Sequence, residues 1–296
     1  LLNCCEISFG LDPEIAVGDD GADGNQDGDG FTNLQEQAAG TSPILADSDA
    51  DGLNDDVETK TGTYLSASDT GTDPLDNDTD DDGLLDGAEN TSGNFVDENE
   101  AGSDPHVPDT DSDGFPDGYE GSNGLDPNDD GTTNIDNGPM GDPDSDSSNN
   151  LNEFTLGTDP QKEDTDDDGV IDGSEDNTGT WVSATMTGTD PLDPDTDNDS
   201  LPDGVETNDG NYVDANATGS NPHVHDTDGD GYFDEQEVAA STDPSDPLSV
   251  PPFHTPLGFW SFDDQGETIT ADLSPNGNDG SVLGGATYVA GHTGLP

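Results

Sequence analysis

The fold of this chain is decided by one stretch of twelve residues, Asp78-Thr79-Asp80-Asp81-Asp82-Gly83-Leu84-Leu85-Asp86-Gly87-Ala88-Glu89. Carboxylates stand at positions 1, 3 and 5 of the stretch, glycine stands at position 6, and carboxylates return at positions 9 and 12. Alternating residues let the chain curl around one point, and the glycine permits a sharp backbone bend. The stretch therefore predicts a loop whose carboxylate oxygens converge.

This spacing, called the acidic loop below, recurs eight times. The loops begin at Asn25, Asp47, Asp78, Asp109, Asp142, Asp164, Asp195 and Asp226 and are numbered 1 to 8 in that order. The steps between them are 22, 31, 31, 33, 22, 31 and 31 residues, so the first four loops map onto the last four by a constant shift of 117 residues. A unit of four loops has been duplicated, which predicts a repeat architecture.

The duplication extends to the segments between the loops. Residues 70–76 are identical to residues 187–193, and Tyr64 aligns with Trp181. Random acidic disorder would not keep this register, so we expect the two halves to share a structure.

Composition alone would favour disorder. The chain has 72 acidic residues against two basic ones, a formal net charge of -70, and only 26% hydrophobic residues. Two lysines cannot neutralise nucleic-acid phosphates, and the same charge excludes anionic membrane surfaces. No apolar run reaches the roughly 18 residues needed to span a bilayer. The adjacent Cys4 and Cys5 do not form a disulfide framework; the alternatives are an N-terminal remnant without a role, a crosslink to another chain, or a lipidated Cys4.

Calcium is the ion that fits the acidic loop. It takes six to eight oxygen ligands, here side chains at positions 1, 3, 5, 9 and 12 with the backbone carbonyl of position 7. Magnesium demands a tighter octahedron, and zinc prefers sulfur and nitrogen ligands, which are nearly absent here. We predict at least one Ca²⁺ per loop, about eight or more in all. The predicted ligand residues are Asn25, Asp27, Asp29, Phe31, Asn33 and Glu36 in loop 1; Asp47, Asp49, Asp51, Leu53, Asp55 and Glu58 in loop 2; Asp78, Asp80, Asp82, Leu84, Asp86 and Glu89 in loop 3; Asp109, Asp111, Asp113, Phe115, Asp117 and Glu120 in loop 4; Asp142, Asp144, Asp146, Ser148, Asn150 and Glu153 in loop 5; Asp164, Asp166, Asp168, Val170, Asp172 and Glu175 in loop 6; Asp195, Asp197, Asp199, Leu201, Asp203 and Glu206 in loop 7; and Asp226, Asp228, Asp230, Tyr232, Asp234 and Glu237 in loop 8.

Two loops depart from the pattern, because position 6 is Ser147 in loop 5 and Ser200 in loop 7. Serine resists the backbone conformation that glycine allows, so we hypothesise that these two sites are weaker or differently coordinated. Between the loops, the abundance of Gly, Thr, Ser and Pro predicts turns rather than long helices. Residues 33–39 are expected to form one or two helical turns, and residues 62–66 and 179–183 short strands or hairpin arms.

Residues 19 to about 247 resemble the thrombospondin type 3 repeats, which also occur in many bacterial surface proteins. The typical run is Gly71-Thr72-Asp73-Pro74 followed by loop 3. The resemblance implies a mostly irregular, elongated, calcium-stapled repeat array with short β-strands or hairpins, and sometimes more than one ion per repeat. EF-hands flank the loop with amphipathic helices, whereas Gly-rich turns follow Glu58 and Glu89 here. Dockerins normally use a single pair of loops.

The composition changes from about residue 253. Residues 259–264 and 272–280 resemble the opening of a laminin-G-like jelly roll, a sandwich that needs on the order of 100 residues. We therefore expect a partial β segment, either truncated or completed by a strand from another chain, for which residues 5–9 are a candidate donor.

The predicted organisation is an N-terminal segment (1–18), calcium-repeat modules at 19–141 and 142–247, a Pro-rich linker (248–258) and the incomplete β segment (259–296). We predict an extracellular or cell-surface structural protein, a stalk or filament subunit that calcium stiffens and that associates head to tail. The alternative is the spacer of a cell-surface adhesin that presents a glycan-binding jelly-roll head. No Ser/His or Cys/His constellation appears, so we do not expect an enzyme.

Overall fold

The computed structural model describes residues 8–9, 14, 17–19, 21–252, 269–270 and 280–281. Within them the chain is mostly turns and bends, as predicted. It divides into two compact units between Pro194 and Asp195, whereas the predicted module boundary at 141/142 follows the sequence duplication. Residues 269–270 and 280–281 pair as a two-residue antiparallel ladder, with Ile269 opposite Ser281. The remainder of the predicted laminin-G-like segment and the proposed donor strand at 5–9 lie almost entirely outside the described residues.

Four short α-helices occur in the described part of the chain: α1 (Asn33–Ala39), α2 (Asp117–Ser122), α3 (Asn150–Leu156) and α4 (Asp234–Ala240). Four 3-10 turns lie at Asp86–Ala88, Ile135–Asn137, Asp172–Ser174 and Asp203–Val205. All of these elements except Ile135–Asn137 begin at position 9 of an acidic loop. Each therefore carries the residues of positions 9 and 10 in its first turn.

Local sequence sets the bounds of α1. The Thr32 hydroxyl accepts from the N–H of Gln35 at 3.4 Å, and the Gln35 amide oxygen accepts from the N–H of Thr32 at 2.9 Å, which forms a capping box. Gly40 then ends the helix in the left-handed conformation, at φ 93°. The predicted helix over 33–39 is therefore confirmed.

Of the two forms predicted for residues 62–66 and 179–183, the short strand does not form, whereas the hairpin arm is confirmed. Residues 60–72, 91–103, 177–189 and 208–220 instead form four equivalent hairpin inserts, each with a single isolated bridge near its tip. In the first, Lys60 donates to the carbonyl of Thr72 and Gly62 to that of Gly71, both at 2.9 Å. Lys60, Gly62 and Gly71 all have positive φ, which interrupts the extended backbone that a strand requires.

Little apolar surface is buried. The buried apolar side chains among the described residues are Leu84, Ala88, Ala101, Phe115, Leu125 and Leu201. Buried Asp, Glu, Asn, Ser and Thr side chains are far more numerous, and they include carboxylates with no exposure, such as Glu36, Asp86 and Glu120. The interior of the repeats is therefore made of loop carboxylates.

Candidate metal centres

The backbone fixes one oxygen of each position-5 carboxylate, and in loop 5 the second oxygen, Oδ2 of Asp146, also accepts from the N–H of Gly173 at 2.6 Å. In all eight loops the N–H of position 7 donates to Oδ1 of position 5, at 2.6 to 2.9 Å. In loops 2 and 3, Oδ2 of Asp51 and of Asp82 is buried without a hydrogen-bond partner. These free oxygens point to a cation, because a buried acceptor without a donor is costly.

The loop bend needs left-handed backbone at two positions. Position 4 has positive φ in every loop, between 62° at Asp81 and 88° at Gly28. Position 6 has positive φ in loops 2 to 8, and Ser147 and Ser200 adopt it at 85° and 81° despite their side chains. The two serine loops therefore keep the loop conformation. That they bind calcium more weakly, or with different ligands, stays a hypothesis. Gly30 in loop 1 does not have positive φ.

Position 9 joins neighbouring loops. Asp86 of loop 3 lies with Asp51 and Glu58 of loop 2, and the three buried side chains have carboxylate oxygens within 4.8 Å of one another. Asp117 of loop 4 lies in the same way with Asp82 and Glu89 of loop 3. We call such a set, positions 5 and 12 of one loop with position 9 of the next, a shared cluster.

The same approach is visible in other loop pairs through its effect on pKa values. Asp55 of loop 2 raises the pKa of Glu36 in loop 1, and Asp172 of loop 6 raises that of Glu153 in loop 5, in both cases after the larger effect of burial. In the second compact unit, Asp234 of loop 8 raises the pKa of Asp199 in loop 7.

A glycine at position 10 permits the loops to approach this closely. A Cβ at Gly87 would stand 2.3 Å from the carbonyl oxygen of Asp51, and one at Gly118 would stand 2.4 Å from that of Asp82. No side chain fits at those distances, so glycine is required where these loops stack.

Position 9 is held by position 2 of its own loop. The Thr79 hydroxyl donates to Oδ2 of Asp86 at 2.6 Å, and the Thr79 N–H donates to Oδ1 at 2.8 Å. The equivalent pairs recur in loops 2, 4, 6, 7 and 8, with Ser48 replacing threonine in loop 2. The hydroxyl orients the shared carboxylate, and its hydrogen bond favours the charged form against burial, which raises the pKa of Asp86.

Loops 1 and 5, which begin the two sets of four, differ. Position 2 is Gln26 or Pro143 there, and position 9 is asparagine. Asn33 donates to the carbonyls of Asp19 and Gly21 at 2.8 and 2.9 Å, and Asn150 makes the equivalent bonds to residues 136 and 138. An aspartate could not donate these bonds. Oδ1 of Asn33 and of Asn150 is buried without a partner, so it stays available to a cation.

A hydroxyl of the hairpin insert orients the position-12 glutamate. Thr72 donates to Oε1 of Glu58 at 3.1 Å, and Ser103 donates to Oε1 of Glu89 at 2.9 Å. Thr189 donates to Glu175 in the same way, at 2.7 Å. The second oxygen of Glu58 and of Glu89 is buried without a partner. These hydroxyls were not predicted as part of the sites, although their invariant place 14 residues after the glutamate could have indicated them.

The clusters cannot hold their charge alone. Burial, followed by neighbouring carboxylates, raises the pKa of Glu58 and of Glu89 to about 9 and that of Glu120 to about 10. Lys60 pairs with Asp73 and Lys162 pairs with Asp167, and none of these residues belongs to a shared cluster. A divalent cation among the carboxylates would replace the proton and supply the missing positive charge.

Beside loops 4 and 8, a carboxylate from outside the eight loops approaches the loop carboxylates. Asp130 raises the pKa of Asp111 and Asp113 in loop 4, and Asp246 does the same for Asp228 in loop 8, each after the larger effect of burial. Neither Asp130 nor Asp246 was predicted as a ligand. Each therefore lies close enough to its loop to act on the charge of the loop carboxylates.

Asp130 belongs to a ninth segment with the loop spacing, Asp126-Pro127-Asn128-Asp129-Asp130-Gly131-Thr132-Thr133-Asn134-Ile135-Asp136-Asn137. Its N–H of position 7 donates to the position-5 carboxylate at 3.1 Å, as in the other eight loops, and Gly131 has φ 79°. Amides replace the carboxylates at positions 9 and 12, which hides the pattern from a search for acidic loops.

Asp129 closes this ninth segment from within. Its carboxylate accepts from the N–H groups of Thr133 and Asn134, at 3.0 and 2.8 Å, and from the amide of Asn137 at 3.1 Å. These donors lower the pKa of Asp129 despite the opposing effect of its burial. The carboxylate therefore holds the segment together through hydrogen bonds within the chain.

The structure thus brings together most of the predicted ligands. Side chains of positions 1, 3, 5 and 12 converge within their loop, and in loops 2, 3, 4, 6 and 8 position 9 lies between its own loop and the preceding one. Position 7 contributes backbone to the loop, while the side chains of Leu84, Phe115 and Leu201 are buried in the packing. Which oxygens bind an ion, and how many ions bind, stay predictions.

Converging carboxylate loops, repeated in tandem and packed through shared clusters, define a class of acidic repeat protein. Two segments of the chain, residues 26–46 and 226–247, match the family model described as the bacterial TSP3 repeat. These segments contain nearly all of loop 1 and all of loop 8. Neither reaches residues 259–296, so the laminin-G-like resemblance has no support. No curated protein and no solved structure matches the chain.

TSP3 repeats are associated with calcium binding in extracellular proteins, and the carboxylate clusters of this chain are consistent with that ion. Among the described residues, none of the helices has the length and apolar character to cross a lipid bilayer.

Proposed function

We propose that the chain is an extracellular or surface-exposed structural protein whose repeats are ordered by bound calcium. The observation that supports this best is the set of buried carboxylate oxygens without donors, which lies at equivalent places in successive loops. A cation that satisfies those oxygens would join two successive loops wherever they form a shared cluster, because the cluster contains residues from both.

Calcium concentration outside cells suits such sites. Extracellular modules of this kind bind with dissociation constants of about 10⁻⁴ to 10⁻³ M, far above free calcium in a cytosol. The role is therefore mechanical rather than catalytic: the ions stiffen a stalk or a filament subunit, and the carboxylates act as ligands rather than as acids and bases.

Calcium titration tests the proposal. The near-ultraviolet circular dichroism of the tyrosine and tryptophan residues should increase with calcium up to the millimolar range, and cleavage by the glutamate-specific protease Glu-C should fall in parallel. Magnesium at the same concentration is the control and should have a much smaller effect, because it dehydrates reluctantly and requires an octahedral site. Full order and protease resistance after exhaustive removal of divalent cations would refute the proposal.

A mechanical role also predicts that calcium changes the force needed to stretch the protein. A single molecule held between its two ends should resist stretching at higher force in calcium than in chelator. Equal forces in the two conditions would leave calcium binding without a structural purpose.

A further inference from the structure

The apolar packing of the described chain is concentrated around loop 4. Of the six buried apolar side chains among the described residues, five lie between residues 84 and 125: Leu84, Ala88, Ala101, Phe115 and Leu125. The ring of Phe154 in α3 adds to this packing, since its centroid lies 5.2 Å from that of Phe115 and 4.7 Å from that of Tyr119 in α2. Aromatic pairs of this geometry add to the free energy of packing beyond the area that they bury.

Leu125 stands at a position that usually carries a hydroxyl. Nine segments of the chain read Gly-Thr-Asp-Pro or a close variant, and their second residue is Leu11, Thr41, Thr72, Ser103, Leu125, Thr158, Thr189, Ser220 or Thr242. Thr72 and Thr189 donate to the glutamate of an acidic loop. Leu125 has no hydroxyl to donate and is instead buried, with 1% of its surface exposed. Apolar packing thus replaces a contact with a candidate metal ligand at this place.

The ninth segment, residues 126–137, follows Leu125 directly and closes without a cation. The carboxylate of Asp129 accepts three hydrogen bonds from within the segment, at 2.8 to 3.1 Å. The structure describes this segment in full, and no carboxylate oxygen in it is buried without a hydrogen-bond partner, whereas each of the eight acidic loops has such oxygens. The ninth segment therefore has its acceptors satisfied before any ion is bound.

Neutral amides connect the ninth segment to its neighbours on both sides. The Asn128 side chain donates to the carbonyl of Ala101 at 3.0 Å. The Asn150 side chain, at the start of α3, donates to the carbonyls of Asp136 and Gly138 at 2.8 and 2.9 Å. Hydrogen bonds between neutral groups need no counterion. We call this region the joint, and define it as residues 121–141 together with Phe115, Tyr119 and α3.

We propose that the joint keeps its fold when calcium is absent, while the acidic loops before and after it lose theirs. Its contacts are apolar packing and hydrogen bonds made within the chain, and neither kind depends on a bound ion. The proposal rests on the proposed function for the loops and adds a part of the chain whose order does not require calcium. When calcium is added, order spreads from the joint into loops 4 and 5, which adjoin it.

Hydrogen exchange of the full chain in excess EGTA tests the proposal. Peptides covering 121–141 and 150–156 should exchange roughly tenfold more slowly than an unstructured chain, or more slowly still. Peptides covering loop 2 (47–58) and loop 6 (164–175) should exchange at the unstructured rate. Unprotected exchange of the joint peptides in EGTA would overturn the proposal.

A variant of Leu125 tests the cause of the protection. Leu125→Thr restores the residue type of seven equivalent segments and should remove the protection of 121–141 in EGTA. In saturating calcium, loops 2 and 6 of this variant should stay protected, which shows that the chain still folds. The matched control is Leu65→Thr, at a residue of the first hairpin insert that is 69% exposed, and it should leave the joint protected. Loss of protection in both variants, or in neither, would contradict the proposed role of the packing.

Thiol labelling gives a second measurement that uses the repeats of the chain as controls. In a full chain with Cys4 and Cys5 changed to serine, Leu125→Cys and Thr72→Cys each place a thiol at the same position of the Gly-Thr-Asp-Pro pattern. Leu125 and Thr72 are both buried, with 1% and 0% exposure. In EGTA a maleimide should modify Leu125→Cys roughly tenfold more slowly than Thr72→Cys, because only the joint stays closed. Equal rates in EGTA would overturn the proposal.

The same samples separate this proposal from the proposed function. Unprotected exchange of the whole chain in EGTA, with order returning in calcium, would reject the calcium-independent joint and keep the calcium-ordered repeat. Protection of the acidic loops as well as the joint in EGTA would reject both.

Discussion

Replacing Asp86 by asparagine tests the shared clusters directly. Asp86 accepts hydrogen bonds from the hydroxyl and the N–H of Thr79, at 2.6 and 2.8 Å, and approaches Asp51 and Glu58 of the preceding loop within 4.8 Å. The asparagine oxygen can keep the bond from the Thr79 N–H, so the local fold is retained. The substitution removes one negative charge between loop 2 and loop 3.

The magnitude follows from the bonds that change. A hydrogen bond to a charged group contributes about 1.5–3 kcal/mol and a neutral one about 0.5–1.5 kcal/mol, so the loss is about 1 to 2 kcal/mol. This free energy corresponds to a calcium midpoint that is roughly five- to thirtyfold higher. Because the carboxylate lies between two loops, both loops should need more calcium.

Hydrogen exchange measured by mass spectrometry at increasing calcium reports each loop separately. For Asp86→Asn we expect higher midpoints of protection in peptides covering 47–58 and 78–89. The matched control is Asp78→Asn at position 1 of loop 3, which should raise the midpoint of 78–89 and change that of 47–58 much less than Asp86→Asn does. If Asp86→Asn leaves 47–58 unchanged, the shared cluster is refuted.

Three further predictions concern protons, backbone and the ninth segment. Without divalent cations, acidification from pH 8 to pH 5 should increase the near-ultraviolet circular dichroism. The folded pKa values of Glu58 and Glu89 lie near 9, above the ordinary value of 4.5, so these groups destabilise the ion-free fold as pH rises between those values. A loss of signal on acidification would contradict this. Ser200→Gly should lower the calcium midpoint of loop 7 by a few fold, because a φ of 81° costs serine about 1 kcal/mol of backbone strain. An unchanged midpoint in hydrogen exchange would show that this strain does not weaken calcium binding. Asp129→Ala should speed hydrogen exchange over 126–137 at saturating calcium, since three donors lose their acceptor. The control is Asp136→Ala, at an exposed residue of the same segment, which should not change the exchange rate. Equal rates in the two variants would show that the Asp129 carboxylate does not hold the segment.

The parts of the fold that sequence could predict depend on residues close in the chain. The convergence of Asp78, Asp80 and Asp82 is set by alternation and one glycine, and the helix over 33–39 is set by Thr32 and Gly40 at its ends. The helix over 150–156 was within reach too, because it is the duplicate of 33–39, but seven residues are too few to give an amphipathic signal by themselves.

Contacts between loops were beyond sequence reasoning. The place of Asp86 beside Asp51 depends on how loop 3 stacks on loop 2, across 35 residues and a hairpin insert. One signal was nevertheless present: aspartate at position 9 always accompanies serine or threonine at position 2, and asparagine at position 9 never does. That pairing indicates that the aspartate at position 9 does more than bind an ion within its own loop.

The sharing of position 9 has a consequence for how order responds to calcium. A carboxylate that belongs to two clusters is ordered when calcium binds to either of them. Binding of calcium to the second cluster then requires less ordering and is more favourable. Adjacent loops should therefore fill cooperatively, with a titration steeper than that of independent sites, and a damaged loop should loosen its neighbours more than distant ones. Over a narrow interval of calcium concentration the repeats would then pass from loose to ordered, so that the calcium content of the surrounding solution would set the state of neighbouring loops together.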